Sequence, residues 1–168
     1  MRELRELDIM DTEVSGLKSL ENMQKLRELD IRCTNVSDLA PLEDLKNIKH
    51  LWADWTKISD LSSLSDLKKL ERLSLDSTNV RDLSSLRGLE NLKELDLSNT
   101  KIVDLTSLKD LTELRDLRLS NTKVSNLSPL SKLKNLRNLD IKNTKVEDLT
   151  PLKDLDNLKE LHFTYSEI

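Results

Sequence analysis

Apolar residues return along the chain every 22 positions. In Leu92–Glu113, LKELDLSNTKIVDLTSLKDLTE, they stand at places one, four, six, eleven, fourteen, seventeen and twenty: Leu92, Leu95, Leu97, Ile102, Leu105, Leu108 and Leu111. The same residue types recur 22 residues away in either direction. Units begin at Leu4, Leu26, Ile48, Leu70, Leu92, Leu114 and Leu136, and a half unit runs from Leu158 to Ile168, with no insertion or deletion. Such self-similarity marks a repeat architecture. Residues 1–168 therefore read as one domain of seven coils and an eighth strand, without a linker.

Within a unit the period changes. Places four and six alternate with polar residues, as in Leu95-Asp96-Leu97, which predicts a short strand with one face buried. Places eleven, fourteen, seventeen and twenty are spaced by three, and over so short a stretch this predicts a 3₁₀-like turn. Pro41, Pro129 and Pro151 fall at place sixteen, behind Ala40, Ser128 and Thr150; Ser-Pro and Thr-Pro there predict an N-cap followed by the first helical residue. Place thirteen holds Asp38, Asp60, Asp82, Asp104 and Asp148, with Gly16 and Asn126 in the other two units. A carboxylate there can accept backbone N–H groups at the corner. A single unit buries too little apolar surface to offset its chain entropy, so units must stack. Identical spacing sets the strands in register and makes the sheet parallel. Eight strands about 4.8 Å apart give a sheet roughly 35 Å long.

Composition narrows the function classes. Apolar runs reach only two or three residues, far short of a membrane span, and MRELRELDIM holds no signal-peptide core. A net charge of −4 argues against nucleic acid. Cys33 is the single cysteine, which excludes an internal disulfide or a cysteine metal site and favours a reducing compartment such as the cytoplasm.

The pattern LxxLxLxxTxVxDLxxLxxL resembles the leucine-rich repeat over nearly the whole chain. The 22-residue length and the D-L-S/T-P-L segment look most like bacterial internalin-type repeats. The resemblance implies an α/β solenoid: a right-handed curved coil with an eight-stranded parallel sheet on its concave face and 3₁₀ or irregular turns on its convex face. It is specific for fold and nearly silent on ligand; the non-enzymatic protein-binding role expected of the chain rests on the outward residues of the sheet. One departure is systematic. Place nine, usually Asn in that family, is Thr12, Thr34, Thr56, Thr78, Thr100, Thr122 and Thr144, then Ser166. A Thr hydroxyl has one donor, so a buried Thr ladder after each strand is expected.

In this fold places three, five and seven face outward from the sheet. Across all units they carry eleven acids and four Lys or Arg. Place two is basic, with Arg5, Arg27, Lys49, Lys93, Arg115, Arg137 and Lys159, and Glu71 is its one exception; Lys57, Lys101, Lys123 and Lys145 occupy place ten. Two readings of this charge stand: protection of an exposed sheet face from aggregation, and orientation of a basic or mixed-charge partner. The unit Ile48–Lys69 departs most. Its strand reads IKHLWADWT, with Trp52 at place five, Trp55 at place eight and Ala53 where other units carry Leu, Ile or Phe. Exposed aromatics rimmed by polar groups suit a binding hot spot. The candidate patch is Trp52 and Trp55 with His50, Asp54, Asp30, Arg32, Arg72, Ser74, Asp76, Asp96 and Arg118. The alternative for Trp55 is packing over the space left by Ala53. In the C-terminal HFTYSEI, Phe163 is expected buried and His162 and Tyr165 exposed, with end-capping as the alternative role.

Enzymatic chemistry finds no support. His50 and His162 lie about five coils, roughly 24 Å, apart. There is no Gly-rich phosphate loop or H-E-x-x-H. Asp8 beside Asp30 offers at most a weak, open Ca²⁺ site, Cys33 reads as a small filler, and no pocket is expected on a curved wall. No cofactor is implied. Other readings are a regulatory subunit resembling the leucine-rich regulator of type-1 phosphatase, a structural or adhesive segment of a larger bacterial surface protein, and an engineered repeat scaffold. Met1–Glu3 cannot shield the first coil, so Leu4, Leu7, Ile9 and Leu17 are expected to be partly exposed, with end-to-end association as a consequence.

Overall fold

The computed structural model describes residues 2–164. Eight three-residue strands run in chain order through one parallel sheet: β1 Glu6–Asp8, β2 Glu28–Asp30, β3 His50–Trp52, β4 Arg72–Ser74, β5 Glu94–Asp96, β6 Asp116–Arg118, β7 Asn138–Asp140 and β8 Glu160–His162. Each residue pairs with the one 22 positions on, as in Leu51 with Leu73 and Trp52 with Ser74. Opposite the sheet, each unit folds through one 3₁₀ turn, Lys18–Leu20 in the first and Thr150–Leu152 in the seventh. Among the described residues no helix is long and apolar enough to cross a membrane.

The Leu and Ile rows fill the interior, and from Leu26 to Leu139 the residues at places one, four, six and eleven are almost wholly buried. The ends differ. Leu4, Leu7 and Ile9 are half-buried, as expected of a first coil with one neighbour. Leu17 is 2% exposed, contrary to the expectation, because it sits at the corner where its own 3₁₀ turn and the second coil close over it. Phe163 is half-buried rather than buried, and Leu161 beside it is 39% exposed, since the eighth strand has a described neighbour on one side only. Tyr165 and Ser166 lie outside the described residues.

The reversal after each strand is made at place eight. Asp11, Cys33, Trp55, Ser77, Asn99, Asn121 and Asn143 all take positive φ, between 52° and 58°. This left-handed step brings the place-nine hydroxyl back over its own strand. Thr34 donates to the Ile31 carbonyl at 2.7 Å, Thr100 to Leu97 at 2.5 Å, and the other place-nine Thr residues do the same. The Thr ladder is therefore a set of bonds inside each coil, not between coils. It is buried from Thr34 to Thr122, but Thr12 is exposed and Thr144 half-buried. Backbone groups join the coils at this turn, as in Trp55 N–H to the Asp76 carbonyl at 2.9 Å. At place 22, Asn47, Asn91, Asn135 and Asn157 add amide bonds to carbonyls of the preceding coil at 2.7–2.9 Å.

At the 3₁₀ corners the expected place-thirteen acceptor is present, but the Ser and Thr before Pro are not the N-caps. The residue before each turn is the place-fourteen Leu, which makes no side-chain cap, and Ala40, Ser128 and Thr150 are already the first 3₁₀ residues. The cap comes from place thirteen. Asp104 Oδ1 accepts the Thr106 N–H at 2.8 Å and the Thr106 hydroxyl at 2.5 Å, and Asn126 accepts the Ser128 N–H at 2.9 Å. Hydrogen bonds from Thr106 hold the Asp104 carboxyl below the usual carboxylate range. Thr100→Val, which removes a buried donor and leaves the Leu97 carbonyl unsatisfied, is expected to cost about 1 kcal/mol in urea unfolding, and the exposed Thr12→Val a few tenths. Equal losses for the two would refute the in-coil role of the buried hydroxyls.

Candidate functional site

Because the strands are in register, outward side chains form rows, and two departures from them are answered by a neighbouring coil. Glu71 interrupts the basic place-two row and bridges its neighbours, 2.8 Å from Lys49 and 2.7 Å from Lys93. Those two hydrogen bonds hold its carboxyl down at about 2. A lowered folded-state value means that this stabilisation is present above the ordinary carboxylate range and is lost as pH falls toward about 2. Both lysines are partly exposed, so Glu71→Gln is expected to cost about 1–2 kcal/mol at pH 7. Near pH 2 the variant and the wild type should unfold alike; an undiminished difference there would rule the bridge out.

A second row anomaly builds the site. Place-five Asp residues normally accept the N–H two positions on, as Asp30 does from Arg32 and Asp96 from Ser98. The fourth coil has Ser74 at that place. Its Asp76 N–H is taken instead by Asp54 of the preceding coil at 2.8 Å, and the Ser74 hydroxyl donates to the same Asp54 oxygen at 2.5 Å. Burial pushes the Asp54 carboxyl up, the two hydrogen bonds oppose the rise, and the nearby charges of Asp96 and Asp76 add to it. Ser74 is short and stands between Trp52 and Asp96, so the sheet face sinks there. The result is a hollow of about 370 Å³ lined by Arg32, Trp52, Asp54, Arg72, Ser74, Asp76, Asp96 and Arg118, with Glu94, Asp116, Leu73 and Leu95. No pocket was expected on the wall; one small residue beside one large one creates it.

Eight of the eleven candidate residues thus share one hollow, and three do not. Asp30 is buried beside it and holds Arg32 through Nε at 2.9 Å and Nη2 at 2.5 Å, which raises the guanidinium above its usual range. Asp30 is thereby occupied and forms no open cation site with Asp8. His50 braces Trp52 edge-on, ring centroids 5.6 Å apart, and its Nδ1 lies 3.4 Å from Glu28. Trp55 is separate. It lines a groove on the flanking turn with Cys33, Asn35 and Lys57, and it is 65% exposed while Ala53 is fully buried. It therefore does not fill the Ala53 space. Cys33, read as a filler, is exposed.

Two features escaped the sequence reading. Glu94 and Asp116 line the hollow from place three of later coils, a diagonal step away from Trp52. The place-eight Asn residues form a chain in which Asn143 donates to Asn121, Asn121 to Asn99, and Asn99 to Asp76 at 2.7 Å. Their shared place in the unit was the available signal. Trp55 takes the same left-handed step, φ 58°, without any such bond. A bulky residue is strained there. Trp55→Asn is expected to stabilise the protein by about 1 kcal/mol in thermal unfolding; a lower midpoint would mean that the ring contributes packing.

The family model for leucine-rich repeats in two copies matches residues 68–110, 90–132 and 112–154. The chain belongs to the leucine-rich-repeat family. Within it the chain is internalin-like: internalin C2 of Listeria monocytogenes is 33% identical with a TM-score of 0.93, covering 97% of this chain and 72% of that one. Internalin F of the same organism is 28% identical with a TM-score of 0.94, over 96% of this chain. A leucine-rich-repeat protein of Leptospira interrogans is 27% identical with a TM-score of 0.89, over 97% of this chain. The chain spans 48% of the internalin F chain and 45% of the Leptospira chain. Comparison with curated proteins returned no match. The fold supports a protein–protein interaction module.

Proposed function

We propose that the chain binds a protein partner, without catalysis, through the concave face of its sheet, in a patch centred on Trp52. The observation that carries this reading is the hollow itself: a half-buried indole, braced by His50, stands over a depression lined by charged side chains on a face that no other part of the described chain covers. Aromatic and arginine side chains at the centre of a polar rim are the residues on which binding energy concentrates. Trp55 joins the contact when the partner also reaches over the rim onto the flank.

The seven 3₁₀ turns opposite the sheet favour the internalin-like reading over the phosphatase-regulator one, which expects helical convex segments. Cross-linking from residues around the hollow would identify the partner. Trp52→Ala is then expected to weaken its binding by about 2 kcal/mol, roughly thirtyfold. A change below about 0.5 kcal/mol would sink the patch.

A further inference from the structure

We infer that the hollow beside Trp52 receives a basic side chain, an arginine by preference, presented by an extended segment of the protein partner. This rests on the concave-face reading and names the chemistry that the face selects. The argument is charge complementarity on an uncovered sheet face. Five carboxylates and three guanidinium groups line the hollow. All three cations are committed: Arg32 to Asp30 at 2.5 Å, Arg72 to Glu94 at 2.9 Å and Arg118 to Asp96 at 3.3 Å. Asp54, Asp76 and Asp116 form no ion pair among the described residues, although the charge of Arg32 is near enough to act on Asp54. They accept hydrogen bonds from uncharged donors only: Asp54 from Ser74 and the Asp76 N–H, Asp76 from Ser77 and Asn99, Asp116 from Asn138. The hollow therefore holds an excess of negative charge, with three unpaired carboxylates, beside an aromatic ring.

Burial and two neighbouring carboxylates disfavour the charge on Asp54, against the two hydrogen bonds that favour it, and its carboxyl is pushed up. A guest cation relieves that. A guanidinium suits the place better than an ammonium, because it is planar, weakly hydrated, stacks on aromatic faces and bonds carboxylates in pairs. The volume is at the small end of the range for ligand sites, which fits one or two side chains of an extended segment and not a helix.

The probe is the acetylated tripeptide amide Gly-Arg-Gly, titrated into the 168-residue chain at low salt with the Trp52 indole N–H followed by NMR. The expected result is a saturable shift in the millimolar range. The citrulline analogue, the same shape without charge, is expected to bind at least about tenfold more weakly. Asp54→Asn with Asp76→Asn, which keeps an acceptor oxygen at both positions, should cost at least about fivefold, and Asp8→Asn, outside the hollow, nothing. Equal binding of the citrulline peptide, preference for the Gly-Glu-Gly peptide, or an unchanged affinity in the double variant would each overturn the inference. Absence of any arginine-dependent shift would overturn it too, and the concave-face reading would then stand or fall separately on the partner's response to Trp52→Ala.

Discussion

On its sheet side each coil satisfies its backbone N–H groups on the coils beside it, and this obligation governs the rest of the molecule. Amides along each strand bond to carbonyls on both sides, Arg72 N–H to Lys49 of the preceding coil and Leu75 N–H to Asp96 of the next, and the left-handed residue after each strand bonds to the next coil again, with a donor at Trp55 as much as at Asn99. Buried amides tolerate no slippage. The period cannot vary, so side chains at one place stand in a row through the whole sheet. Leucine then fills the interior by repetition, and no long-range design of the core is needed. The outward rows inherit the same registration without being constrained in identity.

Registration also explains why unusual residues come in compensated sets. Glu71 in a basic row becomes a bridge between two lysines. Ser74 in an acidic row gives up the N–H that an aspartate there would have taken, and Asp54 reaches over from the coil before it. The indole of Trp52 and the depression beside it depend on that exchange, since an aspartate at place five of the fourth coil would fill the floor. The site is thus less a set of added groups than a local exception that its neighbours make tolerable.

The repeat made the fold legible. Spacing alone placed the strands, their register and the 3₁₀ turns, and it singled out the third coil as the place where the template fails. What it could not supply were properties that arise between rows or from backbone sign. Trp52 and Trp55 are three residues apart in the chain, yet the left-handed step between strand and turn sends one to the sheet face and the other to the flank. Glu94 and Asp116 obey the template, so nothing marked them until the diagonal across three strands was known. The place-thirteen acceptor was legible as a turn residue, but Ser-Pro and Thr-Pro mimic a helix start, and the hydroxyl two residues later was wrongly given the N-cap. Leu17 looked exposed by its position in an end coil, but a corner is closed by its own turn.

The unbroken 22-residue period carries a consequence for how such a face changes. One inserted residue would shift every later row against every earlier one and leave the intervening amides without acceptors. A whole inserted coil disturbs nothing, because each coil touches only its neighbours. The outward sheet face can therefore lengthen or shorten only in whole steps of about 4.8 Å, while its chemistry can be rewritten one outward position at a time. Reach is quantised and specificity is continuous, and the two can be altered independently.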